Sequence, residues 1–165
     1  MMKIAVYGRS FNRAYNGTII QVFEELKKNG ASVLIYRPFF RFIEEKVGYT
    51  PQHEALFNQP LDSINDIDVI LSIGGDGTFL DTVNLIKDKQ IPILGINSGR
   101  LGFLASISKD NVVQALGNLL SGNYTIEKRS LLTVNSDEDL FGDTNYALND
   151  FTMQKNLKPT MVKIS

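Results

Sequence analysis

The chain has 165 residues, enough for one domain of ordinary size or for one domain with part of another. Its 17 basic and 18 acidic residues give a net charge of −1, which argues against a dedicated nucleic-acid-binding protein. No cysteine is present, so disulfides, cysteine metal sites and a thiol nucleophile are excluded. The single histidine, His53, rules out a two-histidine metal motif, and its polar surroundings predict a solvated loop or helix-end residue.

Targeting and membrane segments are not evident in the sequence. No apolar run approaches the roughly 18 residues that a membrane helix needs. The first residues are apolar for too short a stretch to form the core of a signal peptide. We therefore expect a soluble protein of the cytoplasm, with neither a membrane nor a nucleic acid as its partner.

Short apolar runs alternate with amphipathic patterns over roughly the first three-quarters of the chain. Strands are predicted at residues 4–7, 33–36, 69–73 and 91–96. Helices are predicted at residues 19–26, 39–47, 79–86 and 112–120, the last with Ser108 as its N-cap. Phenylalanines near arginines at 39–43 could stack on nucleic-acid bases, but their helical spacing favours core packing. Residues 48–66 are polar and predict an irregular connection.

The strands lack polar alternation and are separated by helices, so this region predicts an α/β fold with a parallel sheet covered on both faces. The pattern changes near residue 125. Extended segments are predicted at residues 126–134, 146–153 and 161–164. We therefore expect an α/β domain at residues 1–124, followed at residues 125–165 by the start of a β-rich, antiparallel, sandwich-type domain.

Two glycine-rich loops follow predicted parallel strands, where doubly wound sheets bind their ligands. The first loop consists of Gly74, Gly75, Asp76, Gly77 and Thr78 and leads into a helix. Glycine lets a ligand approach the backbone, and a helix N-terminus favours an anion, so this loop suits a phosphate. The presence of Asp76 in a phosphate-binding loop needs a separate explanation, because a carboxylate repels phosphate. It could accept a proton from an attacking hydroxyl, bind Mg²⁺ or merely cap the helix.

The second loop, residues 95–102, adds Arg100 as a candidate phosphate clamp and precedes Phe103, a candidate stacking surface for a base. Composition alone leaves open whether Arg100 is a surface charge and Phe103 a core residue. The chain has no P-loop of the usual spacing and no Gly-x-Gly-x-x-Gly after its first strand. It also has no Gly-x-Ser-x-Gly nucleophile elbow.

Three motifs together resemble those of one enzyme family. Residues 74–78, Gly-Gly-Asp-Gly-Thr, resemble the signature of the NAD kinase and diacylglycerol kinase superfamily. Residues 94–104, Leu-Gly-Ile-Asn-Ser-Gly-Arg-Leu-Gly-Phe-Leu, resemble NAD kinase specifically. Residues 146–150, Tyr-Ala-Leu-Asn-Asp, resemble that family's Asn-Glu motif with Asp in place of Glu. The motifs stand in the family's order, so the resemblance covers essentially the whole chain.

The resemblance to bacterial NAD kinases implies transfer of the γ-phosphoryl of ATP to the 2′-hydroxyl of the adenosine ribose of NAD, giving NADP. In some members polyphosphate replaces ATP, and the family uses Mg²⁺ and is usually dimeric or tetrameric, so we expect a homo-oligomer. Asp76 would be the proton acceptor, and no residue is assigned as a metal ligand. The other implied contacts are Gly74, Gly75, Gly77, Thr78 and Arg100 near the phosphates, Phe103 near the adenine, and Asn149 and Asp150 at NAD.

One departure from the family is large. Its second domain continues well past the last motif, through a Thr-Pro-Thr-Gly-Ser-Thr-Ala-Tyr-like segment that does not occur here. We therefore expect residues 125–165 to be the incomplete beginning of that domain, and this chain alone to be inactive. Two alternatives stay open. One is a lipid kinase of the diacylglycerol type, although such enzymes usually carry Asn-Glu where residues 79–81 stand here; the other is a nucleotide-binding fragment without turnover.

Overall fold

Five parallel strands form the main sheet of the computed structural model, which describes residues 1–58, 66–87, 89–99, 102–134 and 146–148. The strands are β1 Lys3–Gly8, β2 Ser32–Tyr36, β3 Ala55–Phe57, β4 Val69–Gly74 and β5 Ile93–Asn97. They lie in the order β3-β2-β1-β4-β5, and each neighbouring pair is parallel. The predicted α/β fold with a parallel sheet is confirmed.

Within the described residues, helices lie between β1 and β2, between β2 and β3 and between β4 and β5, and one more follows β5. The α-helices are α1 Asn16–Lys28, α2 Arg37–Phe42, α3 Asp76–Ile86 and α4 Val112–Leu120. Shorter turns are the 3-10 turns Arg13–Tyr15 and Lys109–Asn111 and the π-helical turn Ile43–Val47. Ser108 is the N-cap residue of the 3-10 turn Lys109–Asn111, which runs directly into α4, so its predicted position is correct, although its side chain makes no capping hydrogen bond. Among the described helices, none has the length and apolar character needed to cross a bilayer.

The sheet is covered on both faces because successive side chains of a strand point to opposite sides. Ile4 and Val6 of β1 belong to a core cluster with residues of α1, α2 and α4. Ala5 and Tyr7, the alternate residues, belong to a second cluster with residues of α3. The aromatic residues of α2 join the first cluster, with Phe39 1% exposed, so core packing and not base stacking is what the structure shows.

The prediction of an irregular connection at residues 48–66 is wrong at β3. This strand pairs in parallel with β2, from Leu34 opposite Ala55 to Tyr36 opposite Phe57. A strand of three residues, of which only the last is buried, is too short to produce a recognisable periodicity. His53 lies in the connection before β3, but its ring is half-buried and meets Phe40 edge-on, with ring centroids 4.7 Å apart. Residues 59–65 lie outside the described residues.

The chain divides into two compact units, Met1–Glu127 and Lys128–Ser165. In the second unit, β6 Leu132–Thr133 and β7 Tyr146–Ala147 pair antiparallel, which confirms the predicted β-type of this segment. The predicted strand at residues 126–134 is correct only at β6, because residues 126–131 are irregular. Residue 148 is a bend, and the rest of the predicted strand at 146–153, from residue 149, and all of 161–164 lie outside the described residues. The domain boundary after residue 124 stays a prediction.

The strand order creates a switch point between β1 and β4. From β1 the chain adds β2 and β3 on one side, and it then returns to add β4 and β5 on the other. Gly8 at the end of β1 lies opposite Ile73, and Gly74 at the end of β4 lies opposite Asn97. Open α/β sheets bind ligands at the carboxyl ends of strands beside such a point. The first glycine-rich loop therefore starts where the fold favours a ligand site.

Candidate functional site

The loop after β4 presents backbone N–H groups at the start of α3. Gly75 is the N-cap residue, and the first intrahelical bond runs from the Phe79 N–H to the Gly75 carbonyl at 3.1 Å. The N–H groups of the preceding first turn therefore have no acceptor within the helix. A Cβ built at Gly75 or Gly77 would meet nothing within 4 Å. A phosphate can thus approach this turn closely, as the sequence predicted for a glycine-rich loop.

Gly74 and Thr78 contact each other and shape the loop from within. A Cβ at Gly74 would lie 2.5 Å from the Thr78 Cβ, so any side chain there would displace the first turn of α3. The Thr78 side chain is correspondingly buried, with 7% exposure. Below it, the buried Thr82 hydroxyl donates to the Thr78 carbonyl oxygen at 2.8 Å. Thr78 therefore offers a ligand its backbone N–H and little of its side chain.

The carboxylate of Asp76 is engaged by the backbone of the second loop. Its Oδ2 accepts the N–H of Phe103 at 2.9 Å, and its Oδ1 accepts the N–H groups of Leu104 at 2.9 Å and Ala105 at 3.1 Å. These three donors, with Phe103 the strongest, lower the pKa of Asp76, because each stabilises the ionised carboxylate. Gly102 approaches the same group so closely that a Cβ there would lie 2.5 Å from the Asp76 Cγ.

The lowered pKa gives a directly measurable expectation. A group with a depressed pKa contributes stability at every pH above its unfolded-state value and loses it as the pH falls through the folded-state value. Asp76 should therefore remain ionised through neutral pH, and its titration midpoint in the folded protein should lie below the usual 3.8. A carboxyl-carbon chemical-shift titration of isotope-labelled protein measures this midpoint, and a value above 3.8 would contradict the three hydrogen bonds.

Asn97 and Tyr15 hold the same second loop at other points. Asn97 ends β5 and is only 2% exposed; its Oδ1 accepts the Gly99 N–H at 2.6 Å and its Nδ2 donates to the Ala105 carbonyl at 3.3 Å. The Tyr15 hydroxyl donates to the Gly99 carbonyl at 2.8 Å. Both flanks of the turn are thus fixed by hydrogen bonds. Sequence reasoning missed both residues, although a polar residue at the end of an apolar strand was a signal for Asn97.

Of the other predicted site residues, the structure describes Phe103 but not Arg100, Asn149 or Asp150. Phe103 is 96% exposed, so the alternative that it is a core residue is wrong. Its backbone is held by Asp76 while its ring projects into solvent, which is the arrangement that a stacking surface requires. Arg100, Asn149 and Asp150 lie outside the described residues, and their roles stay predictions.

An ion pair beside the glycine loop was also missed. Arg9, directly after β1, places its Nη2 2.6 Å from Oδ2 of Asp81 on α3. Burial raises the pKa of Asp81, and this effect outweighs the opposing attraction of the Arg9 guanidinium. The pair joins the end of β1 to the middle of α3 beside the switch point. The two partners lie far apart in the sequence, so neither loop alone signals the contact.

Acidic residues around the site do not form a metal cage. Among the described residues, no group of three or more His, Asp or Glu side chains could hold a metal ion. Of the nearby carboxylates, Asp76 accepts three N–H groups and Asp81 pairs with Arg9. Mg²⁺ is commonly held by substrate phosphates and water with one or two carboxylates. A cation bound in this way needs no cage of three protein carboxylates.

Comparison with known proteins identifies the family to which the chain belongs. The family model described as "ATP-NAD kinase N-terminal domain" matches residues 21–124, more than half of the chain. The chain belongs to this NAD kinase family. A curated NAD kinase of Bacteroides fragilis is 34% identical over 163 residues, covering 99% of this chain and 55% of that relative. A NAD kinase of Cytophaga hutchinsonii is also 34% identical, over 99% of this chain and 56% of its own length.

A solved structure agrees with the fold of the family. The crystal structure of yeast NADH kinase complexed with NADH has a TM-score of 0.60 and 17% sequence identity, and covers 81% of this chain and 40% of that chain. At this identity the likeness supports the fold alone. The chain spans about half the length of the curated relatives it matches.

Proposed function

We propose that this protein is an NAD kinase, transferring the γ-phosphoryl of ATP to the 2′-hydroxyl of the adenosine ribose of NAD. The observation that carries the proposal is a glycine-rich loop at the switch point of the sheet, with Asp76 in the first turn of α3, in a chain whose residues 21–124 match the family. Because the curated relatives are nearly twice as long, the proposal concerns the complete gene product.

The chemistry follows from positioning and charge. The 2′-oxygen of NAD bonds to the γ-phosphorus while the bond from that phosphorus to the β,γ-bridging oxygen breaks and ADP leaves. The proton of the 2′-hydroxyl passes to Asp76. Phosphoryl transfer depends mainly on alignment and on neutralising phosphate charge, for which the first-turn N–H groups of α3 are suited.

Further contacts belong to the same proposal. Arg100 would neutralise phosphate charge, and Phe103 would stack on the adenine. Asn149 and Asp150 would hold NAD, although Asp150 is one methylene shorter than the glutamate that the family usually has there. Mg²⁺ would enter with ATP and lower the charge of its phosphates. ATP and NAD coexist in the cytoplasm, where we expect the enzyme to act as a homo-oligomer.

The experiment that tests the proposal is a competition between acceptors. The complete gene product is supplied with ATP labelled in its γ-phosphoryl, Mg²⁺, NAD and vesicles containing diacylglycerol. We expect the label to appear in NADP and not in lipid. Label in phosphatidic acid alone would favour the lipid-kinase alternative, and nucleotide binding without label transfer would favour a binding protein. Polyphosphate in place of ATP identifies the preferred donor.

A further inference from the structure

We propose that the two oxygens of Asp76 have separate tasks: Oδ1 anchors the loop that carries Phe103, and Oδ2 receives the proton of the substrate hydroxyl. Asp76 would then be a positioning residue for the base-stacking surface as well as the proton acceptor. The anchoring part depends only on hydrogen bonds within this chain. The part concerning the substrate hydroxyl rests on the proposed NAD kinase function.

The division of tasks follows from the number of hydrogen bonds at each oxygen. A carboxylate has about four acceptor positions, two on each oxygen. Oδ1 uses both of its positions for the N–H groups of Leu104 and Ala105. Oδ2 accepts one N–H, that of Phe103, and keeps a position for a hydroxyl donor. Proton transfer to Oδ2 therefore leaves both bonds to Oδ1 in place.

Two glycines show that the loop and the carboxylate fit each other closely. Gly102 leaves no room for a Cβ, which would lie 2.5 Å from the Asp76 Cγ, although its backbone is not left-handed. Gly95 on β5 leaves none either, because a Cβ there would lie 2.8 Å from the Cα of Ala105. The segment from Gly102 to Ala105 is thus packed between β5 and Asp76. Its position determines where the exposed Phe103 ring projects.

The anchor has a mechanistic consequence. Asp76 holds the loop and would accept the proton, so it helps to fix the distance between the adenine surface and the proton acceptor, together with Asn97, which donates to the Ala105 carbonyl. We expect loss of the anchor to weaken nucleotide binding, and loss of the Oδ2 acceptor alone to weaken turnover.

Three variants separate the two oxygens. Asp76→Asn can keep its one oxygen at the Oδ1 position, bonded to Leu104 and Ala105, and place its amide where Oδ2 stood. Asp76→Ala removes both oxygens. Gly102→Ala leaves the carboxylate intact and forces the loop away from it. Gly117→Ala on α4 is the matched control, because a Cβ there would meet nothing within 4 Å.

Amide hydrogen exchange in peptides covering residues 103–105 tests the anchor in the complete gene product without substrate. We expect exchange to rise about tenfold or more in Asp76→Ala and in Gly102→Ala, since each lost bond is to a charged group. In Asp76→Asn we expect a smaller rise, dominated by Phe103, and in Gly117→Ala none. Unchanged exchange in both Asp76→Ala and Gly102→Ala would overturn the anchor. Equal exchange in Asp76→Asn and Asp76→Ala would overturn the division between oxygens.

Nucleotide binding and turnover then test the consequence. We expect the dissociation constant for NAD to rise about tenfold in Gly102→Ala, because the loop is displaced. In Asp76→Asn it should change less than about threefold, because this variant keeps the loop in place and loses only the proton acceptor. Weaker NAD binding in Asp76→Asn than in Gly102→Ala would contradict this part. If the exchange pattern appears but the protein forms no NADP, the proposed function fails and the anchor stands. Should Asp76→Ala not fold, unchanged exchange in Gly102→Ala would overturn the anchor, and exchange of residues 104 and 105 as fast in Asp76→Asn as in Gly102→Ala would overturn the division between oxygens.

Discussion

Replacing Asp76 with asparagine should lower kcat for NADP formation by about 10²–10⁴-fold, the usual cost of losing a general base. The lower end of this range is expected for two reasons. Three backbone donors lower the pKa of Asp76, which makes it a weak base. In the loose transition state of phosphoryl transfer, the hydroxyl also carries little positive charge until its bond to phosphorus has formed, so the base contributes little to the rate before then. Orientation of the hydroxyl would then contribute more than proton affinity.

The measurement is steady-state kinetics of the purified complete gene product with NAD and ATP varied in turn. Glu45→Gln, which changes an exposed carboxylate to an amide in the π-helical turn Ile43–Val47, is the matched control and should leave kcat unchanged. Equal kcat in the wild type and in Asp76→Asn would remove Asp76 as the proton acceptor. A loss confined to KM for NAD would instead assign Asp76 to binding alone.

The second large effect is on stability and concerns two phenylalanines. Phe39 is 1% exposed in the core cluster, and its ring would lie within 2.6–2.8 Å of a Cβ built at Gly8. Phe39→Ala should therefore lower the free energy of unfolding by about 3–5 kcal/mol, as expected for a large-to-small core substitution that leaves a cavity. Phe103→Ala makes the same chemical change at a ring that is 96% exposed, so it should leave stability within about 0.5 kcal/mol.

Urea unfolding of the complete gene product compares the two variants with the wild type. Phe103→Ala should in addition weaken NAD binding by about 1–3 kcal/mol, the range measured for stacking of a base on an aromatic ring. Equal destabilisation by the two variants would contradict the positions of the rings. Unchanged NAD affinity in Phe103→Ala would contradict the stacking role of Phe103. It would also contradict the proposal that the position of this loop affects nucleotide binding.

Local patterns predicted the elements that depend on local sequence. Continuous apolar runs located β1, β2, β4 and β5, and the left-handed Gly30 and Gly122 end α1 and α4 where glycine signals the end of a helix. The strand β3 was missed because its three residues pair through backbone bonds that depend on β2 and not on their own side chains. Ser108 was located correctly as the N-cap residue, but the 3-10 turn that it precedes, ahead of α4, was not predicted.

The candidate site was predictable in its residues but not in its contacts. Spacing identified Asp76 and the two loops, but it could not show that the Asp76 carboxylate accepts N–H groups from residues 27 to 29 positions later. Such contacts depend on how β4 and β5 lie side by side, with Gly74 opposite Asn97. The burial of Thr78 against Gly74 likewise follows from the shape of the turn. The contacts of Asp76 thus depend on tertiary register, which no local pattern encodes, and the burial of Thr78 depends on the exact turn geometry, which spacing alone does not give.

The central claim is that the protein adds a phosphoryl group to the 2′-hydroxyl of NAD. The most direct measurement incubates the complete gene product with NAD, ATP and Mg²⁺ and then offers the product to a dehydrogenase that accepts NADP but not NAD. We predict reduction of the product at a rate proportional to the amount of protein, falling about 10²-fold or more with Asp76→Asn. No reducible product from a folded complete protein that binds both nucleotides would contradict the claim.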